Sequence, residues 1–316
     1  MAPFYDFENC ELSLCTLVHK IVQTIDISRF YEPITELFKK ILTRKHFSTQ
    51  TLILILKTIS KLQIRNKKYS NEYLNNAIDN IIIIVSGQIE NFPIQLIIEF
   101  LKFTKNTLLY SEKSKIYKLL RKTSFLSLVR LYQTQENPKI VTMILGIITE
   151  VLKIERGASF FCQFDLAIKF NENLLLKFIH NFSKKSFVEK QAILRLLVVL
   201  TCFQNPETFK ILKVKNKFVF DKLIHFAFNS QDNVIIKDCL DFLLNYFEMS
   251  LMFENFSSFS LISEFGFQGP CSFVSNYNNF HVDQFVDDLS MQYYDSDISN
   301  QAKKLQFLVK RISSCF

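Results

Sequence analysis

Apolar residues recur along almost the whole chain with the three- and four-residue spacing of an α-helix. No segment combines two-residue alternation with the turn residues of a β-hairpin. Six strongly apolar helices are predicted, because each follows a residue that can cap a helix N-terminus. These starting residues are Ser48, Asn91, Asn137, Ser186, Asp232 and Asp297. The pattern therefore predicts an all-α chain with short links.

Local sequence supports several of these helix starts and ends. Asn137 places a capping side chain before a proline at the first helical position. Ser186 and Glu189 have the spacing of a capping box. Gly87 and Gly157 each follow an apolar run, where a glycine is expected to end a helix.

The predicted helix starts are regularly spaced. The first five are separated by 43, 46, 49 and 46 residues, and the last follows after 65. A shorter amphipathic segment precedes each long helix. These segments read ITELFKKIL, LNNAIDNIIIIV, SLVRLYQT, LLLKFIHNF, FDKLIHFAF and QFVDDLSMQYY. Two or three helices per unit with a period of about 40 to 47 residues are typical of armadillo and HEAT arrays.

Residues 223–247, LIHFAFNSQDNVIIKDCLDFLLNYF, resemble an armadillo repeat, with a polar step before a long helix that carries one small residue, Cys239. Residues 175–200 and 128–152 are similar. The resemblance covers about residues 30–312. It implies a right-handed superhelical solenoid of about six armadillo/HEAT-like repeats, forming a single domain over residues 1–316. An ordinary helical bundle is the alternative.

One segment departs from the repeat. A loop-rich insertion is predicted at about residues 250–282, where Gly266, Gly269 and Pro270 lie close together. Residues 255–302 contain no Lys or Arg and six acidic side chains, a charge of −6. Because the whole chain carries +8, the remainder carries 8 − (−6), or +14. The insertion is either a surface loop or a segment that covers a groove or contacts a partner.

The composition argues against catalysis. The chain has 5 Gly and no Trp, and it lacks the glycine-rich phosphate loops and the nucleophile elbow of common enzyme folds. Its five His are isolated from other metal-ligating residues. We therefore expect no enzyme activity, no cofactor and no metal.

The cysteines and apolar runs suggest a location. The seven Cys form no C-x-x-C pair, which favours reduced thiols in an intracellular protein, cytoplasmic or nuclear. The N-terminal segment has no features of a secretory signal, and no apolar run approaches the roughly 18 residues that span a bilayer. No membrane association is expected.

Polar residues interrupt the long helices at equivalent positions. In a stacked array such residues line one continuous concave surface, which would hold an extended peptide or a helix of a partner protein. The candidate groove residues are Lys57, Glu99, Glu150, Gln191, Arg195, Lys237, Asp241 and Asn245. Their mixed charge does not suit a uniformly charged ligand. The alternative is an ordinary solvent-facing stripe without function.

Other binding functions stay open. Three basic clusters could neutralise nucleic-acid phosphates. They are Lys61, Arg65, Lys67 and Lys68; Lys113, Lys115, Lys118, Arg121 and Lys122; and Lys210, Lys213, Lys215 and Lys217. A regulator or exchange factor that grips another enzyme is a further alternative. The sequence thus predicts a protein-binding scaffold or adaptor, with nucleic-acid binding less favoured.

Overall fold

The computed structural model describes residues 3–24, 30–43, 48–65, 89–110, 128, 130–132, 134–153, 182–204, 206, 209, 212, 222–227, 229–257, 282–292 and 295–314. Within these ranges the protein is all-α and has no strand; nine α-helices and two 3-10 helices have defined bounds, and residues 128–134 and 222–230 also contain helical residues. The α-helices are α1 (Pro3–Thr24), α2 (Tyr31–Leu42), α3 (Thr49–Arg65), α4 (Ile94–Tyr110), α5 (Pro138–Leu152), α6 (Phe187–Cys202), α7 (Asn233–Ser257), α8 (Val282–Gln292) and α9 (Ser296–Ser314). The 3-10 helices are Ile89–Asn91 and Phe182–Lys184.

The chain divides into an N-terminal unit, Met1–Val151, and a C-terminal unit, Leu152–Phe316. In the N-terminal unit α1 packs on α3, and α3 packs on α4. In the C-terminal unit α6 packs on α7, and α9 packs on both α7 and α8. Within each unit, long helices of successive predicted repeats are therefore neighbours. The division into one domain or several stays a prediction.

Capping side chains fix the starts of several long helices. Ser48 Oγ accepts a hydrogen bond from the Thr51 amide at 3.1 Å, and Asp232 Oδ1 accepts one from the Val234 amide at 2.8 Å. At α6 the predicted capping box is confirmed, because Ser186 and Glu189 each accept from the other's backbone amide. These caps satisfy amides that have no partner inside the helix.

Two predicted starts differ from the structure. Asn91 ends a 3-10 turn, and α4 begins at Ile94 after the Pro93 carbonyl accepts from the Leu96 and Ile97 amides. At α9 the capping residue is Asp295, whose Oδ1 accepts from the Asp297 amide at 2.9 Å, and not Asp297 itself. In both places a residue two positions away supplies the acceptor, so the helix start shifts by two residues.

Helix α7 runs to Ser257, eight residues into the segment predicted to be a loop-rich insertion. Met249 and Ser250 are buried, and the Phe253 ring lies 5.6 Å from the Phe209 ring between centroids. Apolar packing thus carries the helix past the predicted boundary. The rest of that segment up to residue 281 lies outside the described residues, as do Gly87 and Gly157.

The cores of the two units follow the apolar periodicity. In the N-terminal unit, the α3 side chains Leu52, Ile55, Leu56, Ile59 and Leu62 are almost completely buried. In the C-terminal unit, α7 buries Leu240, Phe242, Leu243, Tyr246 and Phe247. Since these residues recur every three to four positions, one face of each helix is apolar and its opposite face is free to carry polar groups.

Two glutamines occupy backbone positions that usually favour glycine. Gln204 follows α6 with φ 46°, and Gln231 precedes α7 with φ 52°. Left-handed backbone costs a side-chain-bearing residue free energy that glycine does not lose. The scarcity of glycine in the chain therefore does not prevent tight helix stops, since glutamine makes two of them.

Gly146 lies inside α5 at a position where the structure has room for a side chain. A Cβ atom built at this position would have no neighbour within 4 Å. We expect Gly146→Ala to raise the free energy of unfolding by about 0.5–1 kcal/mol, because alanine restricts the unfolded chain and favours helix. Urea unfolding followed by circular dichroism measures this. A decrease in stability would show that the helix needs glycine there.

Candidate functional site

Polar side chains in the N-terminal unit connect neighbouring helices. His19 Nδ1 of α1 lies 3.0 Å from Thr58 Oγ1 of α3. The Gln63 side-chain amide of α3 donates to Thr107 Oγ1 of α4 at 2.8 Å, and both residues are buried. Arg65 also donates to the Gln23 carbonyl at 3.0 Å. The partners are 39, 44 and 42 residues apart.

The C-terminal unit has an equivalent set of bonds. Arg195 Nε of α6 donates to Asp238 Oδ2 of α7 at 3.3 Å, and the Asn245 amide of α7 donates to Cys202 Sγ of α6 at 3.1 Å. Both pairs are 43 residues apart. These separations are about one helical turn shorter than the 46 residues between the predicted starts of α6 and α7. We call these two bonds, together with the bond between Gln301 and Asp241 described next, the C-terminal polar ladder.

The ladder continues from α7 to α9. The Gln301 side-chain amide donates to Asp241 Oδ1 at 2.7 Å, across 60 residues of chain. This separation is five residues shorter than the 65 residues between the last two predicted helix starts. Each of these three bonds joins one long helix to the next, so hydrogen-bonding groups lie in a row across α6, α7 and α9.

The candidate groove residues have different surroundings. Arg195, Asp241 and Asn245 belong to the ladder, while Lys237 is exposed and Gln191 is half-buried. The structure therefore places three of the five C-terminal candidates in direct bonds between helices.

In the N-terminal unit the candidates are less alike. Lys57 is half-buried on α3. Glu99 is only 5% exposed on α4, unlike the solvent-facing position that the pattern predicts, and accepts from Lys102 Nζ at 2.8 Å. Lys57 and Glu99 both lie close enough to His19 to act on its charge. Glu150 is half-buried on α5.

His19 is held in one neutral form. Thr58 Oγ1 donates its single proton to the Leu54 carbonyl at 2.7 Å, so it accepts the proton of His19 Nδ1. His19 Nε2 then accepts from the Gln23 side-chain amide at 2.9 Å. Both ring nitrogens are thus engaged, and protonation of Nε2 requires the exposed Gln23 amide to turn its oxygen toward the ring.

Burial and nearby charges also favour the neutral form of His19. Burial lowers the pKa of His19 below its usual value, nearby Lys57 and Lys61 lower it further, and Glu99 partly opposes them. The polar face of α1 and α3 is therefore cationic through its lysines and not through its histidine.

Burial raises, and does not lower, the pKa values of the carboxyl groups in the ladder. Burial raises the pKa of Asp238, which Arg195 opposes, and it raises the pKa of Asp241, which Lys237 opposes. Burial also raises the pKa of the Cys202 thiol, against the hydrogen bond from Asn245. The ladder thus presents partly desolvated acceptors beside the cations Arg195 and Lys237, an arrangement that suits recognition by hydrogen bonds more than attraction of one charge.

Sequence reasoning missed the partners in these bonds. His19 was known only as an isolated histidine, and Asp238, Cys202 and Gln301 were not candidates. A search for polar residues about 43 positions apart would have found Asp238. This separation is one predicted repeat interval minus about one helical turn. His225 is exposed and bonds Asn229, four residues later in the chain. Several other sequence features lie outside the described residues: His180, Lys67, Lys68 and the other two basic clusters.

Within the described ranges, no group of three or more His, Cys, Asp or Glu side chains is arranged to hold a metal ion. Over the same residues, no helix combines the length and the apolar character that crossing a membrane requires. Cys10, Cys15, Cys202 and Cys239 are free thiols.

Comparisons with known proteins give a fold and no family. No family model matches the chain, and no curated protein matches it. Among solved structures, the crystal structure of an engineered protein is similar with a TM-score of 0.60 at 12% sequence identity. The match covers 88% of this chain and 97% of that one. At this identity the likeness concerns the fold alone, so the chain is assigned to the all-α class and compatible with a helical repeat.

Proposed function

We propose that the protein is an interaction scaffold or adaptor built from degenerate armadillo/HEAT-like repeats in a right-handed solenoid. Its partner is another protein, which binds as an extended peptide or helix along the polar face of the long helices. The observation that carries the proposal is the row of bonds whose partners are 42 to 44 residues apart in both units. A repeat of this length is expected when successive helices present equivalent positions on one face.

The C-terminal polar ladder is suited to binding an extended chain. Its groups are already fixed by bonds between helices, so little side-chain entropy is lost when a ligand binds. A carboxylate oxygen accepts more than one hydrogen bond, and a side-chain amide both donates and accepts. Asp238, Asp241 and Asn245 can therefore bond a peptide backbone while keeping their internal partners. This proposal has no catalytic step, no cofactor and no metal.

An intracellular location, cytoplasmic or nuclear, belongs to the same proposal. The free thiols among the described cysteines support it, since oxidising compartments favour disulfides.

The test is loss of partner capture. Partners are first isolated by affinity purification and identified by mass spectrometry, and binding is then measured with purified components. We expect Lys57→Ala and the combined Arg195→Ala, Asp241→Ala and Asn245→Ala variant to weaken binding at least about tenfold, or ~1.4 kcal/mol. Thermal melts verify that each variant is folded.

The matched controls are exposed charged residues on other surfaces. Glu32→Ala and Lys40→Ala on α2 and Lys184→Ala in a 3-10 helix should leave binding unchanged. If the control changes abolish capture while the groove changes do not affect it, the partner binds elsewhere and the proposal is wrong.

Nucleic-acid binding is the second candidate function. One observation favours it: Lys57, Lys61 and Arg65 follow one another at one-turn spacing on α3. Single-stranded and duplex oligonucleotides in a filter-binding assay test it at several salt concentrations. Binding through phosphates must weaken steeply with salt, and Lys61→Glu must reduce both the affinity and the salt dependence. Affinity that does not depend on salt would exclude this candidate.

A further inference from the structure

Helices α8 and α9 form a hairpin at the end of the C-terminal unit. Ser299 Oγ donates to the Ser290 carbonyl at 3.0 Å, and the Gln306 amide donates to the Asp287 carboxylate and to Ser290 Oγ. The buried sides of the hairpin are apolar. They carry Phe285, Val286, Leu289, Ile298, Ala302, Leu305 and Val309. The opposite sides of both helices face solvent.

These solvent-facing sides carry two unusually exposed apolar side chains. Met291 on α8 is 82% exposed and Phe307 on α9 is 69% exposed, the highest values for large apolar residues in the described part of the chain. The next highest value is 55%. Single exposed apolar residues are ordinary, but two on one hairpin need an explanation.

The charges around the two residues are opposite. Asp287, one turn before Met291, is exposed, and α8 contains Asp283 and Asp288 but no Lys or Arg. On α9, the exposed neighbours within about one turn of Phe307 are cationic. They are Lys303, Lys304 and Lys310. The hairpin therefore has an acidic side with an exposed methionine and a basic side with an exposed phenylalanine.

Ordinary solvent exposure accounts for the lysines, since charged side chains are usual at a protein surface. It does not account for Phe307 or Met291. An anionic membrane or nucleic acid would suit the basic side but would be repelled by the acidic side. A surface complementary to both sides already exists on the molecule itself, on a second copy of the same hairpin.

We propose that two copies of the chain associate through this hairpin as a symmetric dimer. In it, α8 of each copy lies on α9 of its partner, so the contact between methionine and phenylalanine forms twice and Asp287 faces the lysines of α9 twice. A two-fold interface of this kind needs only one self-complementary surface. Sulfur–aromatic contacts and opposite charges both favour the pairing.

The size of the surface sets the expected strength. The helices span about 16 and 28 Å, and at about 10 Å width they cover roughly 450 Å² per copy. The total of about 900 Å² lies below the range of stable complexes. We therefore expect a weak dimer that dissociates at micromolar concentrations.

The first experiment is sedimentation velocity of the full chain from about 1 to about 200 μM, over which a micromolar dimer must appear. Phe307→Ser and Met291→Ser should each raise the dissociation constant at least about tenfold. Met252→Ser is the matched control, because Met252 is 44% exposed on α7, and it should leave the dissociation constant unchanged.

The second experiment exchanges charges. Asp287→Lys reverses the acidic side, and Lys303→Glu with Lys304→Glu reverses the basic side. Each variant alone should be monomeric, because like charges then meet in both halves of the interface. Mixed together they should form a heterodimer, since both halves are complementary again. Asp287 also bonds Gln306, so if Asp287→Lys melts at a lower temperature, Asp287→Asn, which keeps an acceptor for Gln306 and removes only the charge, should still raise the dissociation constant.

Several outcomes would overturn the proposal. One is a chain that stays monomeric at the highest concentration; another is a dimer that the substitutions do not affect. A mixture of the charge variants that remains monomeric would exclude this pairing of α8 with α9. A monomer that sediments with phosphatidylserine vesicles, and loses this binding in Phe307→Ser, would assign the basic side to a membrane.

Discussion

Phe242→Ala should lower the free energy of unfolding by about 3–5 kcal/mol, the range measured for buried phenylalanines. Phe242 is completely buried on α7, and its ring lies 6.3 Å from the Tyr246 ring between centroids. Because α7 packs on both α6 and α9, the cavity would open in the centre of the C-terminal unit. A loss of this size is a large part of the roughly 5–15 kcal/mol that stabilises a typical domain.

Urea unfolding followed by circular dichroism measures the effect. With a slope of about 2–3 kcal/mol per molar urea, the midpoint should fall by at least about 1 M. Val234→Ala is the control on the same helix, where the side chain is 49% exposed, and its effect should stay within about 0.5 kcal/mol. Equal effects of the two substitutions would contradict the packing described for α7.

The second large effect concerns the buried bond between α3 and α4. Thr107→Val removes the oxygen that accepts from the Gln63 amide at 2.8 Å, while Gln63 is only 3% exposed. The stranded amide has no water to bond, so we expect a loss of about 2 kcal/mol. Oε1 of Gln63 has no hydrogen-bond partner among the described atoms, which adds to the cost of keeping this side chain inside.

Replacing both partners should be less harmful than replacing one. In the Gln63→Leu, Thr107→Val double variant no polar side-chain group remains in that bond, and we expect it to be at least about 1 kcal/mol more stable than Thr107→Val alone. Thr142→Val is the control, since the Thr142 hydroxyl donates to the carbonyl of Pro138 at an exposed position. If the losses of the single variants add in the double variant, Gln63 and Thr107 do not act as a pair.

The sequence predicted the helices well because their signals are local. Ser48, Ser186 and Asp232 were identified from residues that lie within three positions of the backbone amides they cap. The helix starts predicted at Asn91 and Asp297 were less accurate, because Pro93 and Asp295 supply the acceptors at the observed starts. Helix α7 also extends beyond the predicted start of the loop-rich segment, because burial of Met249 and Ser250 outweighs the polar composition that follows.

The candidate site was predicted in part. Arg195 and Asp241 occupy equivalent predicted positions, but Arg195 bonds Asp238, one turn earlier, and Asp241 bonds Gln301. The stagger between neighbouring helices, which the sequence pattern does not contain, decides these partners. Glu99 was misjudged for a related reason, since a polar residue inside an apolar helix can be covered by its neighbours and still bond Lys102.

The sequence by itself determined that the protein is all-α, where most of its long helices begin, and which face of each helix is apolar. These properties depend on the helical period and on capping groups within a few residues, so they are contained in short stretches of chain. Only the tertiary structure decided which polar residues meet, that His19 is held neutral, and that Met291 and Phe307 remain exposed on one hairpin. Such properties depend on the rotation and stagger of packed helices, which are set by side-chain packing between residues about 40 or more positions apart.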